Sequence, residues 1–228
     1  MAGEALNPHL ASPLPKGRER QEKSHFLESE ITVGTPHPVL RMTPEEFLEW
    51  EKTQTEKHEY LNGMVYEVYA MVGARDAHVT VSLNIASLLK EHLRGGPCRV
   101  YISDMKLQLD VANAYFYPDV FVTCDPRDRA EDTCKRFPIL VIEVLSDSTA
   151  GYDRGDKFAT YRKLEGLREY VVIDPDRFAV DCFRRDASNH WVLYAFEGEV
   201  AMELESVNFQ VPLAALFENV GGTAGGQS

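Results

Sequence analysis

Three charged residues stand in surroundings that ordinary folding would not choose for them. Asp119 follows Tyr117-Pro118 and opens an otherwise apolar run, Val120-Phe121-Val122. Glu143 sits inside Phe137 to Leu145, FPILVIEVL, the most apolar stretch of the chain. Asp153-Arg154-Gly155-Asp156-Lys157 forms a polar turn shortly afterwards. A carboxylate in a buried strand is expensive unless it is paired or bound to metal. Burial alone raises its pKa and tends to neutralise it. A divalent cation shared by Asp119 and Glu143 would keep both ionised. Two carboxylates, completed by water and a phosphate oxygen, suit magnesium (or manganese). Such an ion polarises the phosphate and helps to make hydroxide from water. Lys157 could reach back over the Glu143 strand to orient the nucleophile or to stabilise transition-state charge.

Each of these residues also has an ordinary structural reading. Asp119 could be a strand-start or turn residue. Glu143 could form a structural ion pair with Arg162 or Arg168. Lys157 alone could be a solvated helix residue.

The elements that must position them can be read from period and punctuation. Thr43-Pro44-Glu45-Glu46 predicts a capped helix running to about Lys52. His58 to Leu61 and Met64 to Ala70 flank Asn62-Gly63, a hairpin signal. Arg75 to about Leu93 reads as a helix with Val79, Leu83, Ala86 and Leu89 on its apolar face, ended by Gly95-Gly96. Strands are predicted at Cys98 to Ser103, Met105 to Asp110 and Tyr115 to Cys124, the last broken at Pro118. A strand as apolar as Phe137 to Leu145 is covered on both faces. A helix over Tyr152 to Leu164 and a strand over Glu169 to Ile173 make a strand–helix–strand step, hence a parallel pair with a right-handed crossover. Val180 to Arg184 and Trp191 to Phe196 form a hairpin, and Val200 to Leu204 a further strand.

This ordered set resembles the PD-(D/E)-x-K nuclease superfamily, and more narrowly the Uma-type family of bacterial endonucleases. The resemblance spans most of residues 42–217. It includes Met42-Thr43-Pro44-Glu45-Glu46-Phe47, Glu59-Tyr60-Leu61-Asn62-Gly63 and His78. It continues through Tyr117-Pro118-Asp119-Val120, Ile142-Glu143-Val144-Leu145-Ser146, Tyr152 to Lys157, and Tyr161. One departure from the simplest superfamily pattern is Leu145, which stands where a Lys is expected two residues after the second acid. In the Uma-type pattern the basic residue comes from the following helix, and Lys157 fills that place.

The resemblance implies an α/β, restriction-endonuclease-like fold with a mixed central β-sheet flanked by helices. It also implies metal binding by Asp119 and Glu143, with Lys157 assisting attack. Glu59 is a further catalytic candidate, its ordinary reading being an exposed strand residue. His78 could contact the phosphate or simply pack its helix, and Tyr161 reads more readily as core. The implied activity is Mg-dependent hydrolysis of DNA phosphodiester bonds. The alternative is a catalytically silent nuclease-fold module that binds nucleic acid or a protein. A homodimer is the natural arrangement for cutting both strands.

Composition bounds these readings. The chain has 228 residues, 44% hydrophobic and 26% charged, enough for a full core. Its net charge of −12 argues against a polyanion-binding surface all round, because phosphate contacts need local Lys and Arg. Two basic clusters could form a local rim at one edge of the sheet, their ordinary reading being solvated faces. They are Arg127, Arg129, Lys135 and Arg136, and Arg154, Lys157, Arg162, Lys163 and Arg168. No apolar run approaches the roughly 20 residues that span a bilayer. The Pro-punctuated residues 1–40 read as a partly disordered, cytoplasmic-type extension, residues 41–218 as one domain, and 219–228 as a flexible tail. Cys98, Cys124, Cys134 and Cys182 are expected to be free thiols, as in a reducing compartment.

Overall fold

The computed structural model describes residues 38–67, 75–146 and 150–221. The segment before residue 38, the end of the strand expected to reach Ala70, and the tail beyond residue 221 lie outside the described residues. The architecture is mixed α/β, as expected. The strands divide between two six-stranded sheets and a two-stranded ribbon, where one central sheet was anticipated.

The first sheet has the order β1-β3-β2-β6-β5-β8. Its strands are β1 (Pro38–Arg41), β2 (His58–Leu61), β3 (Met64–Glu67), β5 (Lys106–Leu109), β6 (Ala114–Phe116) and β8 (Cys134–Lys135). The folded body thus includes residues 38–40, just ahead of the expected boundary. Asn62 and Gly63 both take positive φ, 50° and 88°, as a tight hairpin turn requires. The second sheet has the order β12-β11-β10-β9-β7-β4. It contains β4 (Arg99–Ile102), β7 (Val120–Thr123), β9 (Pro138–Val144), β10 (Glu169–Asp174), β11 (Ala179–Arg185) and β12 (Trp191–Glu197). β9 and β10 are parallel, as the strand–helix–strand step demanded. The ribbon pairs β13 (Ala201–Leu204) with β14 (Phe209–Pro212).

The run expected as one strand broken at Pro118 is two strands in two different sheets. Proline cannot donate to a ladder, and the chain leaves the first sheet after Phe116 and enters the second at Val120. Asp119 stands at that crossover.

Helix α1 (Pro44–Glu51) carries the full capping box predicted: Thr43 and Glu46 bond each other's backbone N–H. Helix α2 (Asp76–His92) forms where expected; Leu89 and Ala86 face the core as anticipated, but Val79 and Leu83 do not. Val81, Ile85 and Leu89 are buried, whereas Val79 and Leu83 are 53% and 64% exposed. His78, three residues before Val81, continues the buried stripe and is thereby turned toward the second sheet. After β9 the chain runs through α3 (Ala150–Tyr152), a π-helical turn (Asp153–Lys157) and α4 (Phe158–Tyr161).

Two cores cover the second sheet. One face packs Val120, Ile142 and Val171 against α2 and the β13–β14 ribbon. The other packs Phe121, Val141 and Val172 against Leu107, Phe116 and Tyr161. Side chains alternate along a strand, so Glu143 enters this second core beside Val141 and Leu145.

The expectation of four free thiols is corrected. Cys98 and Cys124 form a disulfide, leaving Cys134 and Cys182 free. The antiparallel register of β4 and β7 pairs Arg99 with Thr123, which sets the two flanking cysteines opposite each other.

Candidate active site

The strand ends that meet at the crossover build the site. β7 and β9 are antiparallel with Val120 opposite Ile142, so the start of one strand lies beside the end of the other. Asp119 and Glu143 are thereby neighbours. The Asp119 backbone N–H points to Glu143 Oε2 at 3.4 Å, and Asp119 Oδ2 accepts the Val144 N–H at 2.7 Å.

Lys157 comes down from the π-turn into the same space. Its Nζ lies 3.0 Å from Glu59, 3.3 Å from Glu143 and 3.3 Å from Asp153. Glu59 is only 5% exposed, so its solvent-facing reading is set aside. Glu143 pairs with Lys157, not with Arg162 or Arg168. Tyr161 donates its hydroxyl to Glu143 Oε1 at 3.1 Å, so this core tyrosine also touches the site. His78 Nε2 lies 3.4 Å from Asp119 Oδ2. The four residues singled out by sequence, Asp119, Glu143, Lys157 and Glu59, converge.

Asp153 is the acid that sequence reasoning passed over. It lies inside the polar turn and looks like one of several solvated helix-start acids. Its spacing of four residues from Lys157 is the signal that could have identified it, since i and i+4 share a helix face. It is 2% exposed, whereas Asp156 of the same turn is exposed.

Four carboxylates therefore face one ammonium and one imidazole. Burial pushes the Glu143 carboxyl well above the usual carboxylate range; Lys157 opposes this, while Asp153, Asp119 and Glu59 add to it. Burial likewise raises Glu59, with Lys157 opposing and Asp153 adding. For Lys157, burial works against the charge, but Glu143, Glu59 and Asp153 outweigh it and hold the ammonium well above its ordinary value. Burial pulls His78 down, yet the hydrogen bond and charge of Asp119 together hold it raised.

The donor set can be tested against a hard divalent cation. Asp119 and Glu143 offer carboxylate oxygens side by side, the ligand type that magnesium takes. Among the described residues no three His, Cys, Asp or Glu side chains form a ready-made metal cage. The pair fits an ion that keeps water and substrate oxygens in its remaining positions, as magnesium commonly does.

The basic rim anticipated from sequence is not assembled among the described residues. The loop holding Arg127, Arg129, Lys135 and Arg136 joins the far ends of β7 and β9, roughly 13 Å along the strands from Asp119. There Arg127 pairs with Asp125 and Arg136 with Asp110, and Lys135 is buried against the Asp128 carbonyl. Arg168 is placed at the far end too, where its backbone N–H donates to the Ile139 carbonyl. Arg154 is engaged by Asp174 and Asp181.

Comparison with known proteins places this geometry. A solved structure from Anabaena variabilis, described as "a putative nuclease belonging to DUF820", shares the fold. Its TM-score is 0.62 at 18% identity, over 77% of this chain and 97% of that one. Two uncharacterized proteins of Synechocystis sp. are similar in sequence. One is 36% identical over 183 residues, covering 80% of this chain and 95% of the relative. The other is 32% identical over 162 residues, covering 70% and 90%. Residues 44–214 match the family Uma2, described as "Putative restriction endonuclease", and the chain belongs to that family.

Proposed function

We propose that this protein is a metal-dependent endonuclease that hydrolyses DNA phosphodiester bonds, with Asp119 and Glu143 holding a magnesium or manganese ion. The observation that carries this reading is the excess of buried carboxylate over cation. Glu59, Glu143 and Asp153 surround a single ammonium, Lys157, and half-buried Asp119 lies beside Glu143 with His78 at the edge. Uncompensated buried charge is costly, and a divalent cation offsets it. When bound, such an ion polarises the scissile phosphate and activates a water.

The chain's own residues supply the rest. Lys157 is held protonated by its three acids, so it orients the attacking water and steadies charge on the phosphate. Glu59, whose carboxyl is raised and faces Lys157, accepts the water's proton. Tyr161 fixes the Glu143 carboxylate by its hydroxyl hydrogen bond. His78 holds Asp119 from the α2 side. Cutting both strands of a duplex calls for a two-fold pair of chains. DNA is the proposed partner and the cytoplasm the proposed compartment; among the described residues no helix is long and apolar enough to cross a membrane.

The test is cleavage of single-stranded, duplex and branched DNA with magnesium or manganese. Wild type should cut at least one substrate. Asp119→Ala and Glu143→Ala should abolish cutting, and Lys157→Ala should bind metal but lose rate. DNA binding without metal-dependent cleavage would instead support the silent-module reading.

A further inference from the structure

Outside the acids of the site, one more carboxylate is buried at its back. Glu51 is the last residue of α1 and only 8% exposed. Its Oε1 accepts the His58 backbone N–H at 3.0 Å and the Tyr117 hydroxyl at 3.0 Å. Its Oε2 meets His58 Nδ1 at 3.0 Å. The His58 ring packs against Trp50 with centroids 4.5 Å apart, which fixes the imidazole end of the network.

Both partners of Glu51 adjoin site acids. His58 immediately precedes Glu59 on β2, and alternation along the strand sends the two side chains to opposite faces. Tyr117 stands two residues before Asp119, and its backbone amide favours the ionised form of the Glu59 carboxyl. β2 is tied to β3 at Glu59 and Tyr66, but its pairing with β6, the strand that leads to Tyr117, begins only at Tyr60. The crossover contains Pro118, which has no N–H to offer. Closing α1 does not require a buried carboxylate, which is costly to desolvate. An acceptor for three donors from two separate segments accounts for it.

We infer that Glu51 is a positioning residue of the active site, holding Glu59 and Asp119 in place through His58 and Tyr117. Its kinetic consequence rests on the nuclease reading; its structural consequence does not. The direct readout is the Val144 amide, whose N–H is bound by Asp119 Oδ2.

The experiment measures hydrogen exchange in the metal-free full-length chain for wild type, Tyr117→Phe, Glu51→Ala and Glu51→Gln. Tyr117→Phe and Glu51→Ala should speed Val144 exchange by about tenfold or more, as a local opening would. Glu51→Gln keeps an acceptor oxygen and should rescue most of that loss. The Arg136 and Phe137 amides, held by Asp128 at the far end of the strands, should keep wild-type rates. In the cleavage assay Tyr117→Phe should lower kcat about tenfold with KM within about twofold, since small misplacements of catalytic groups act on turnover. Unchanged Val144 exchange in Tyr117→Phe would overturn the inference even if Glu51→Ala fails to fold. Wild type that cuts no DNA would defeat the nuclease reading and remove the kinetic arm, while Val144 exchange would still decide the positioning role.

Discussion

Replacing Lys157 by Met would remove the ammonium and keep most of the side-chain volume. The Phe116 and Tyr152 rings, 5.9 and 5.7 Å from Nζ, offer the thioether an aromatic setting. What is lost is, among the described residues, the only cation touching Glu59, Glu143 and Asp153. Breaking a buried pair by deleting one partner costs about 3–5 kcal/mol. At about 2–4 °C per kcal/mol for a chain of this size, the melting temperature should fall by roughly 6–20 °C near pH 8. The sign of the pH dependence follows from burial. Glu59 and Glu143 are held above their ordinary value of 4.5. A group raised on folding contributes stability below its unfolded pKa and loses that contribution as pH rises through its folded pKa. Lys157 opposes the rise, so without it both carboxyls move further up. The deficit of Lys157→Met should therefore be largest at pH 8 and shrink toward pH 5, where the carboxyls take up protons. Thermal unfolding of both proteins across that range in EDTA measures it. A deficit that is constant with pH, or that grows toward acid, would refute the electrostatic account of the cluster.

Other consequences are simpler to read. Glu169 is fully buried and accepts from Arg184 Nε at 2.7 Å and from the Glu205 and Ser206 backbone N–H groups. Glu169→Ala should destabilise by about 1–3 kcal/mol in chemical denaturation, because Arg184 Nε and the Glu205 and Ser206 N–H groups lose their buried acceptor while Arg184 keeps Glu205. It should leave metal affinity intact, since Glu169 lies beside Leu140, three residues along β9 from Glu143. Unfolded without reductant, the chain should show two reactive thiols, Cys134 and Cys182, and four after reduction; four at the outset would show that Cys98 and Cys124 are not joined. Gly63→Ala forces a side chain onto φ of +88° and should cost about 1 kcal/mol or more, measured by urea unfolding.

Much of the fold and site was legible because single residues broke strong local patterns. Glu143 stands out in an apolar run that nothing but a second core could require. Thr43-Pro44-Glu45-Glu46 and Asn62-Gly63 carry their own geometry and formed as read. What was not legible depended on which segments meet. Pro118 was readable as a break, but not as a change of sheet. Helix α2 has two apolar stripes, and only packing against Val120 and Ile142 selects Val81, Ile85 and Leu89 over Val79 and Leu83. Likewise the β4–β7 register alone brings Cys98 to Cys124. The basic loop after β7 could be placed only once the strand direction put it at the end opposite Asp119. Asp153 was hidden among solvated acids because the π-turn that turns it inward has no sequence signature of its own. β1, β8 and β14 are short or lie at sheet and ribbon edges, where neither period nor burial marks them.

The central claim is that Asp119 and Glu143 hold a divalent cation. Calorimetric titration of magnesium or manganese into metal-free protein, run near neutral pH in two buffers of different ionisation enthalpy, tests it most directly. Burial holds the Glu143 carboxyl high, so metal binding is coupled to its ionisation. Wild type should bind about one ion per chain with a buffer-dependent heat that reports proton release, and Glu143→Ala should lose that binding. No binding by wild type, or equal binding by Glu143→Ala, would contradict the account.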